Sequence, residues 1–179
     1  MLVRSGIDKV EKRSRNENQP LKILYQNIRR LVTNNKKHKV SYFNDFSKEN
    51  NVLLMNFTET WLNKYIQKDI DIDGYQLHRC DRINKEGGGA AIYIKNEYDA
   101  EKTVELSMGG VEMVSIKIKR INTINVVIYR PPDALTNDFL TILDKVKEIL
   151  SSVSTPEPTV LITGDFNFLF ISWRRESKN

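Results

Sequence analysis

One cysteine, two histidines and five prolines are spread over 179 residues, and no long apolar run occurs. The lone thiol, Cys80, excludes an intramolecular disulfide and any zinc site built on cysteine. No stretch approaches the roughly 20 apolar residues that a membrane-spanning helix needs. The opening MLVRSGIDKVEKRSRNENQP has no apolar segment of the kind that makes a secretory signal. A nuclear or cytoplasmic setting without membrane contact is the expectation. What is present suits a folded enzyme-sized domain: 40% hydrophobic and 28% charged residues can bury a core. The length suits one domain, with residues 1–20 a flexible polar tail and 21–179 the folded part.

The net charge of +5 is local. Arg29, Arg30, Lys36, Lys37 and Lys39 fall within eleven residues that hold no acid, whereas residues 40–179 sum to −3. A basic segment on a slightly acidic body can meet phosphates, and it can equally be a solvated loop and helix face.

Apolar spacing organises the rest. LKILYQN (21–27) reads as a buried strand and NVLLMNF (51–57) as a strand covered on both faces. Between them, Val40, Phe43 and Phe46 recur at helical spacing over 38–50. GYQLHRCDR (74–82) and GGAAIYIK (88–95) read as two strands joined by a loop. Residues 112–120 alternate, with Val114, Ile116 and Ile118 on one face, and turn near Ile121–Asn122 into NTINVVIY (122–129). Pro131 and Pro132 end that strand. Residues 136–153 form a helix striped by Phe139, Leu143, Val146, Leu150 and Val153, with Thr136 or Asn137 as cap. STPEP (154–158) breaks it before the strand TVLITGDFN (159–167). Strands with interspersed helices imply a layered α/β or α+β domain.

Polar residues stand at the C-terminal ends of these apolar strands: Asn27, Glu59, Tyr129, Asp165 and Asn167. Strand ends are where side chains converge on a pocket without weakening the core behind them. A carboxylate can hold a hard cation such as Mg²⁺ or take a proton from water, and an amide can hold a water or a phosphoryl oxygen. Each residue also has an ordinary reading. Asp165 can make a turn, Glu59 can sit in the first turn of a short helix begun at Thr58, and Asn27 can bond backbone.

The order QN (26–27), TETWL (58–62), GGGAAIYIK (87–95), IYRPP (128–132) and TGDFN (163–167) resembles the endonuclease/exonuclease/phosphatase superfamily. Gly74-Tyr75, Arg79 and Asp81-Arg82, ahead of Gly87–Gly89, make it most similar to the apurinic-type endonuclease domain of non-LTR retrotransposons. The resemblance covers residues 21–173. It implies a DNase I-like two-sheet sandwich flanked by helices, acting as a metal-dependent DNA endonuclease. It also implies roles: Glu59 as the Mg²⁺ (or Mn²⁺) ligand, Asn27 in the metal and water network, Tyr129 on the scissile phosphate, Asp165 activating the attacking water, and Asn167 holding that water or a phosphate oxygen. No organic cofactor is implied.

The family completes its site with a later Asp and an Asp-His pair, and this sequence carries no match to them. Arg29 stands where related repair nucleases carry an acid, so metal binding should be weak. The expectation is a C-terminally truncated copy, its sandwich incomplete, that turns over slowly. Its apolar end, with Phe166, Phe168, Leu169, Phe170, Ile171 and Trp173, could support self-association. Two other readings compete: a catalytically dead remnant that binds nucleic acid or a protein through 29–39, and a phosphoinositide or phospholipid hydrolase of the same superfamily. GGGAAIYIK with IYRPP favours the retrotransposon type.

Overall fold

The computed structural model describes residues 21–32, 38–83, 85–152 and 156–168. Eight strands and two α-helices are present among them, besides two single-turn 3₁₀ segments at Asn96–Tyr98 and Lys119–Ile121. In chain order these are β1 (Ile23–Asn27), α1 (His38–Asn50), β2 (Leu54–Thr58), β3 (Tyr75–Cys80), β4 (Ala90–Lys95), β5 (Ala100–Met108), β6 (Val111–Ile118), β7 (Thr123–Tyr129), α2 (Thr136–Ser151) and β8 (Thr159–Asp165). They make two four-stranded sheets, ordered β1-β2-β4-β3 and β5-β6-β7-β8. β1 runs parallel to β2 and β7 parallel to β8, while the other pairs are antiparallel.

Three apolar clusters stack these sheets into four layers. Val40 and Phe43 of α1 pack on Met55, Phe57, Ala91 and Tyr93, one face of the first sheet. Leu54, Ile92 and Ile94 on its other face meet Val114, Ile116, Ile118 and Val127 between the sheets. Met113, Ile124, Val126 and Ile128, on the far side of the second sheet, are covered by α2. β2 and β7, buried on both faces, are read in the sequence as near-continuous apolar runs for that reason.

Several sequence expectations are corrected. β1 is an edge strand with Ile23 and Tyr25 exposed, not a buried strand. β5 falls in a stretch where the pattern suggests no element. Its Glu101, Lys102 and Glu105 interrupt the apolar signal because it too is an edge. The buried stripe of α2 runs through Phe139, Ile142, Val146 and Ile149, with Leu143 and Leu150 only partly covered. Its cap position is Leu135, with no side-chain hydrogen bond, since Thr136 already lies inside the first turn. The tail 1–20, Val153 and the apolar end beyond Phe168 lie outside the described residues. No helix among the described residues is long and apolar enough to cross a membrane.

Candidate active site

Asn56 and Asn125 fix how the sheets face each other. They exchange amide hydrogen bonds at 2.9 Å in both directions, and Asn56 also donates to Thr163 Oγ1 at 3.0 Å. Both asparagines are fully buried. Two residues further along, Tyr25 and Thr58 join hydroxyls at 3.1 Å. These polar contacts tie β1, β2, β7 and β8 together just below their C-terminal ends.

Above that clasp, four of the five sequence candidates stand in two pairs. Asn27 Nδ2 donates to Asp165 Oδ2 at 2.8 Å, across 138 residues of chain. Tyr129 and Glu59 stand close enough for the Glu59 carboxylate to help raise the pKa of the phenol. The pairs adjoin, because Tyr129 and Asp165 are register partners in adjacent strands, as Asn27 and Thr58 are. The fifth candidate, Asn167, turns back: its Nδ2 donates to the Arg130 carbonyl at 2.8 Å, so its amide group anchors the loop after β8. The Asn167 carbonyl in turn accepts from Arg130 Nη1 at 3.1 Å.

Backbone conformation aims Glu59. Glu59 and Trp61 both adopt left-handed φ, 57° and 56°, so β2 ends in a contorted loop and no short helix begins there. Such strain in non-glycine residues costs about 1–3 kcal/mol each and persists only where the surroundings over-determine it. Here the surroundings are specific. Trp61 Nε1 and the Gly88 amide both donate to Glu59 Oε2, the latter at 3.2 Å, and the Glu59 carbonyl accepts the Arg30 amide at 2.7 Å. Gly88 has φ 68°, and a Cβ there would lie 2.5 Å from Arg82 Cζ, which explains the glycine.

Beside this loop lies a charge pair of a kind that spacing alone does not reveal. Glu112 is fully buried and accepts from Arg82 Nε at 2.8 Å, Arg82 Nη2 at 3.1 Å and the Gly89 amide at 3.1 Å. Arg82 also donates to the Gly110 carbonyl at 2.6 Å and lies 5.3 Å over the Tyr129 ring. Burial, then the neighbouring Glu59 carboxylate, pushes the Tyr129 phenol above its ordinary range, so it keeps its proton as a donor.

The basic segment divides. Arg29 is exposed, and its backbone amide bonds Asn27 Oδ1 at 3.2 Å. Arg30 pairs with Glu86 and stacks 4.6 Å over Trp61. Lys39 is turned inward to the carbonyls of Ile28 and Arg29, the second at 3.0 Å. Lys36 and Lys37 lie outside the described residues. His78 sits mid-strand in β3, buried, with Nε2 unpartnered; burial and then Lys102 lower its pKa.

No protein-family model and no curated protein matches the sequence. Solved structures do. The endonuclease domain of TRAS1, a telomere-specific non-LTR retrotransposon, superposes with a TM-score of 0.56 at 16% identity, over 83% of this chain and 59% of that one. An AP endonuclease from Archaeoglobus fulgidus gives 0.57 at 18% identity, over 82% and 57%. A Bacteroides thetaiotaomicron mannosyl-6-phosphatase gives 0.59 at 14%, over 83% and 66%. The chain has the endonuclease/exonuclease/phosphatase fold. It spans 57% to 66% of the length of these three structures. At such identities the likeness concerns the DNase I-like sandwich alone, and this fold hosts both nucleases and phosphatases.

Sequence reasoning passes over Asn56, Asn125 and Glu112 and gives Arg82 and Trp61 no task. The available signal was a polar residue inside an otherwise apolar strand: Asn in LLMNF, Asn in TINVVIY, Glu before MVSIKI. Such residues are retained only when satisfied.

Proposed function

We propose that the chain is a metal-dependent phosphodiesterase acting on DNA, of the retrotransposon endonuclease type, in the nucleus or cytoplasm. The observation that carries this reading is the juxtaposition of the Asn27–Asp165 and Glu59–Tyr129 pairs at the common end of four strands. The sequence motifs favour DNA over phospholipid. The likeness to a retrotransposon endonuclease and an AP endonuclease supports a nucleic-acid substrate.

The donor set suits one weakly held hard cation. Among the described residues no group of three or more His, Cys, Asp or Glu could hold a metal. Glu59 offers carboxylate oxygen, with the remaining ligands left to water and substrate phosphate, the pattern typical of Mg²⁺. Trp61 and Gly88 both donate to Glu59 Oε2, which leaves Oε1 as the oxygen to meet a cation. A bound Mg²⁺ or Mn²⁺ would offset charge on the phosphate.

The chain's own residues do the rest. Asn27 holds Asp165 by one oxygen, leaving Oδ1 to take a proton from the attacking water. Tyr129, kept protonated by burial and by Glu59, donates to a non-bridging phosphate oxygen. Asn167 stabilises the loop that follows Asp165. Arg29, Lys36 and Lys37 supply sequence-independent attraction to the backbone of DNA. Nicking of supercoiled plasmid, with Asp165→Ala as the control, tests the reading.

A further inference from the structure

Glu59 follows β2 in the first sheet, and Tyr129 ends β7 in the second. Their relative placement is therefore only as fixed as the two sheets are. Asn56 and Asn125 tie the sheets beneath the site. A second tie crosses beside it. Arg82 follows the end of β3, and Glu112 lies in β6. Arg82 Nε reaches Glu112 Oε1 at 2.8 Å and Nη2 reaches Oε2 at 3.1 Å, one bond to each oxygen, so the fork fixes the plane of the carboxylate. The two side chains are 6% and 0% exposed, so neither meets DNA.

The tie then returns to the first sheet. Glu112 Oε2 also accepts the Gly89 amide at 3.1 Å, and the amide before it, of Gly88, donates to Glu59 Oε2 at 3.2 Å. Consecutive N–H groups thus hold two carboxylates, Glu59 and Glu112. Left-handed φ at Gly88 and Gly89, 68° and 90°, permits this, and a Cβ on Gly89 would collide with Thr60 Oγ1. The Gly88 carbonyl closes the clamp by accepting the Trp61 amide at 2.9 Å. A second branch reaches Tyr129. Glu112 is its register partner, and the Arg82 guanidinium lies 5.3 Å over its ring while donating to the Gly110 carbonyl at 2.6 Å.

We propose that Arg82 and Glu112 are positioning residues for this site: Glu112 sets Glu59 through the Gly88 and Gly89 amides, and Arg82 sets both Glu112 and the Tyr129 ring. The assignment rests on the phosphodiesterase reading of Glu59 and Tyr129. The pair is neutral in sum, so its contribution is geometric rather than a net field on the cation. Groups that orient a metal-binding side chain typically account for about 10–100-fold in ion affinity or activity. Loss of the pair frees the Gly88 amide from Glu59 and removes the wall against which the Tyr129 ring rests.

Arg82→Met/Glu112→Leu separates positioning from stability, because it removes both charges, refills the volume and leaves the local net charge as it was. Arg82→Lys is the second variant: it keeps the charge but cannot span both carboxylate oxygens. Mn²⁺ alone, its free fraction counted by EPR, should bind each variant about tenfold or more weakly. The Gly88 amide resonance, assigned with Glu59→Gln, should shift and exchange faster with solvent. In plasmid nicking, kcat should fall with KM for DNA unchanged. Val146→Ala, buried in α2 against the far side of the second sheet, should lower the melting temperature and move none of these readouts. A wild type that neither binds Mn²⁺ nor nicks overturns the catalytic reading and this assignment with it. A wild type that binds Mn²⁺, beside a folded double variant of unchanged Mn²⁺ affinity and unmoved Gly88 amide, overturns this assignment alone. Should the double variant not fold, Arg82→Lys decides by the same readouts.

Discussion

Truncating Glu112 to alanine should be among the most damaging single changes in this protein. Its carboxylate is fully buried and accepts three hydrogen bonds, two from Arg82 and one from Gly89. Removing it strands a guanidinium whose side chain is only 6% exposed, with the Gly110 carbonyl and the Tyr129 face as its remaining partners. Breaking a buried pair from one side costs about 3–5 kcal/mol, because the other charge stays desolvated. Natural domains hold only about 5–15 kcal/mol in reserve. At about 2–4 °C per kcal/mol for a chain of this size, the melting temperature should fall by about 6–20 °C. Urea unfolding followed by circular dichroism measures it. The informative companion is Arg82→Met/Glu112→Leu, which removes both charges and refills the volume. It should be more stable than Glu112→Ala, since an apolar replacement of the whole pair escapes the stranded charge. A Glu112→Ala loss below about 1 kcal/mol would refute the reasoning, as would a double variant that loses the sum of the two single changes.

Lys39→Met should lower stability by about 1–3 kcal/mol, since it frees two carbonyls, while leaving the salt dependence of DNA binding as it was. Charge reversal of Lys36 should instead flatten the log–log salt slope by about 0.9 or more, which filter binding across a salt series reads. The depressed pKa of His78 means that the unfolded chain binds a proton the folded one resists. Stability should therefore be highest above the ordinary value of 6.5 and decline as pH falls below it, and His78→Leu should flatten that decline in melts at graded pH. Asn56→Val should cost about 1–3 kcal/mol through the orphaned Asn125 amide, and Asn56→Val/Asn125→Val should recover part of it.

The sequence was most legible where one physical cause dominates. β2 and β7 are buried on both faces, so their apolar runs are unbroken. α1 shows its spacing because Val40 and Phe43 press on one sheet. Legibility failed at the sheet margins. β5 mixes charge with apolar residues because an edge strand wets one face, and β1 looks like core because its apolar residues face an inter-sheet layer that is open beside them. The site divided in the same way. Asn27, Glu59, Tyr129 and Asp165 were visible because strand ends are marked by a change from apolar to polar. Glu112 and Arg82 lie 30 residues apart and meet only through the fold. Lys39 counted as a surface charge until its ammonium was seen to hold two carbonyls.

The central claim is that Asn27, Glu59, Tyr129 and Asp165 form a divalent-cation site that cleaves phosphodiesters. The most direct measurement is conversion of supercoiled plasmid to open circle, with Mg²⁺ or Mn²⁺ and with chelator, by the wild type and Asp165→Ala. The account predicts slow nicking that requires the ion and disappears in Asp165→Ala, with a melting temperature raised by the ion in the wild type and raised less in Glu59→Ala. Nicking that persists in Asp165→Ala or in chelator would contradict it, and so would the absence of both nicking and any ion-dependent shift in melting.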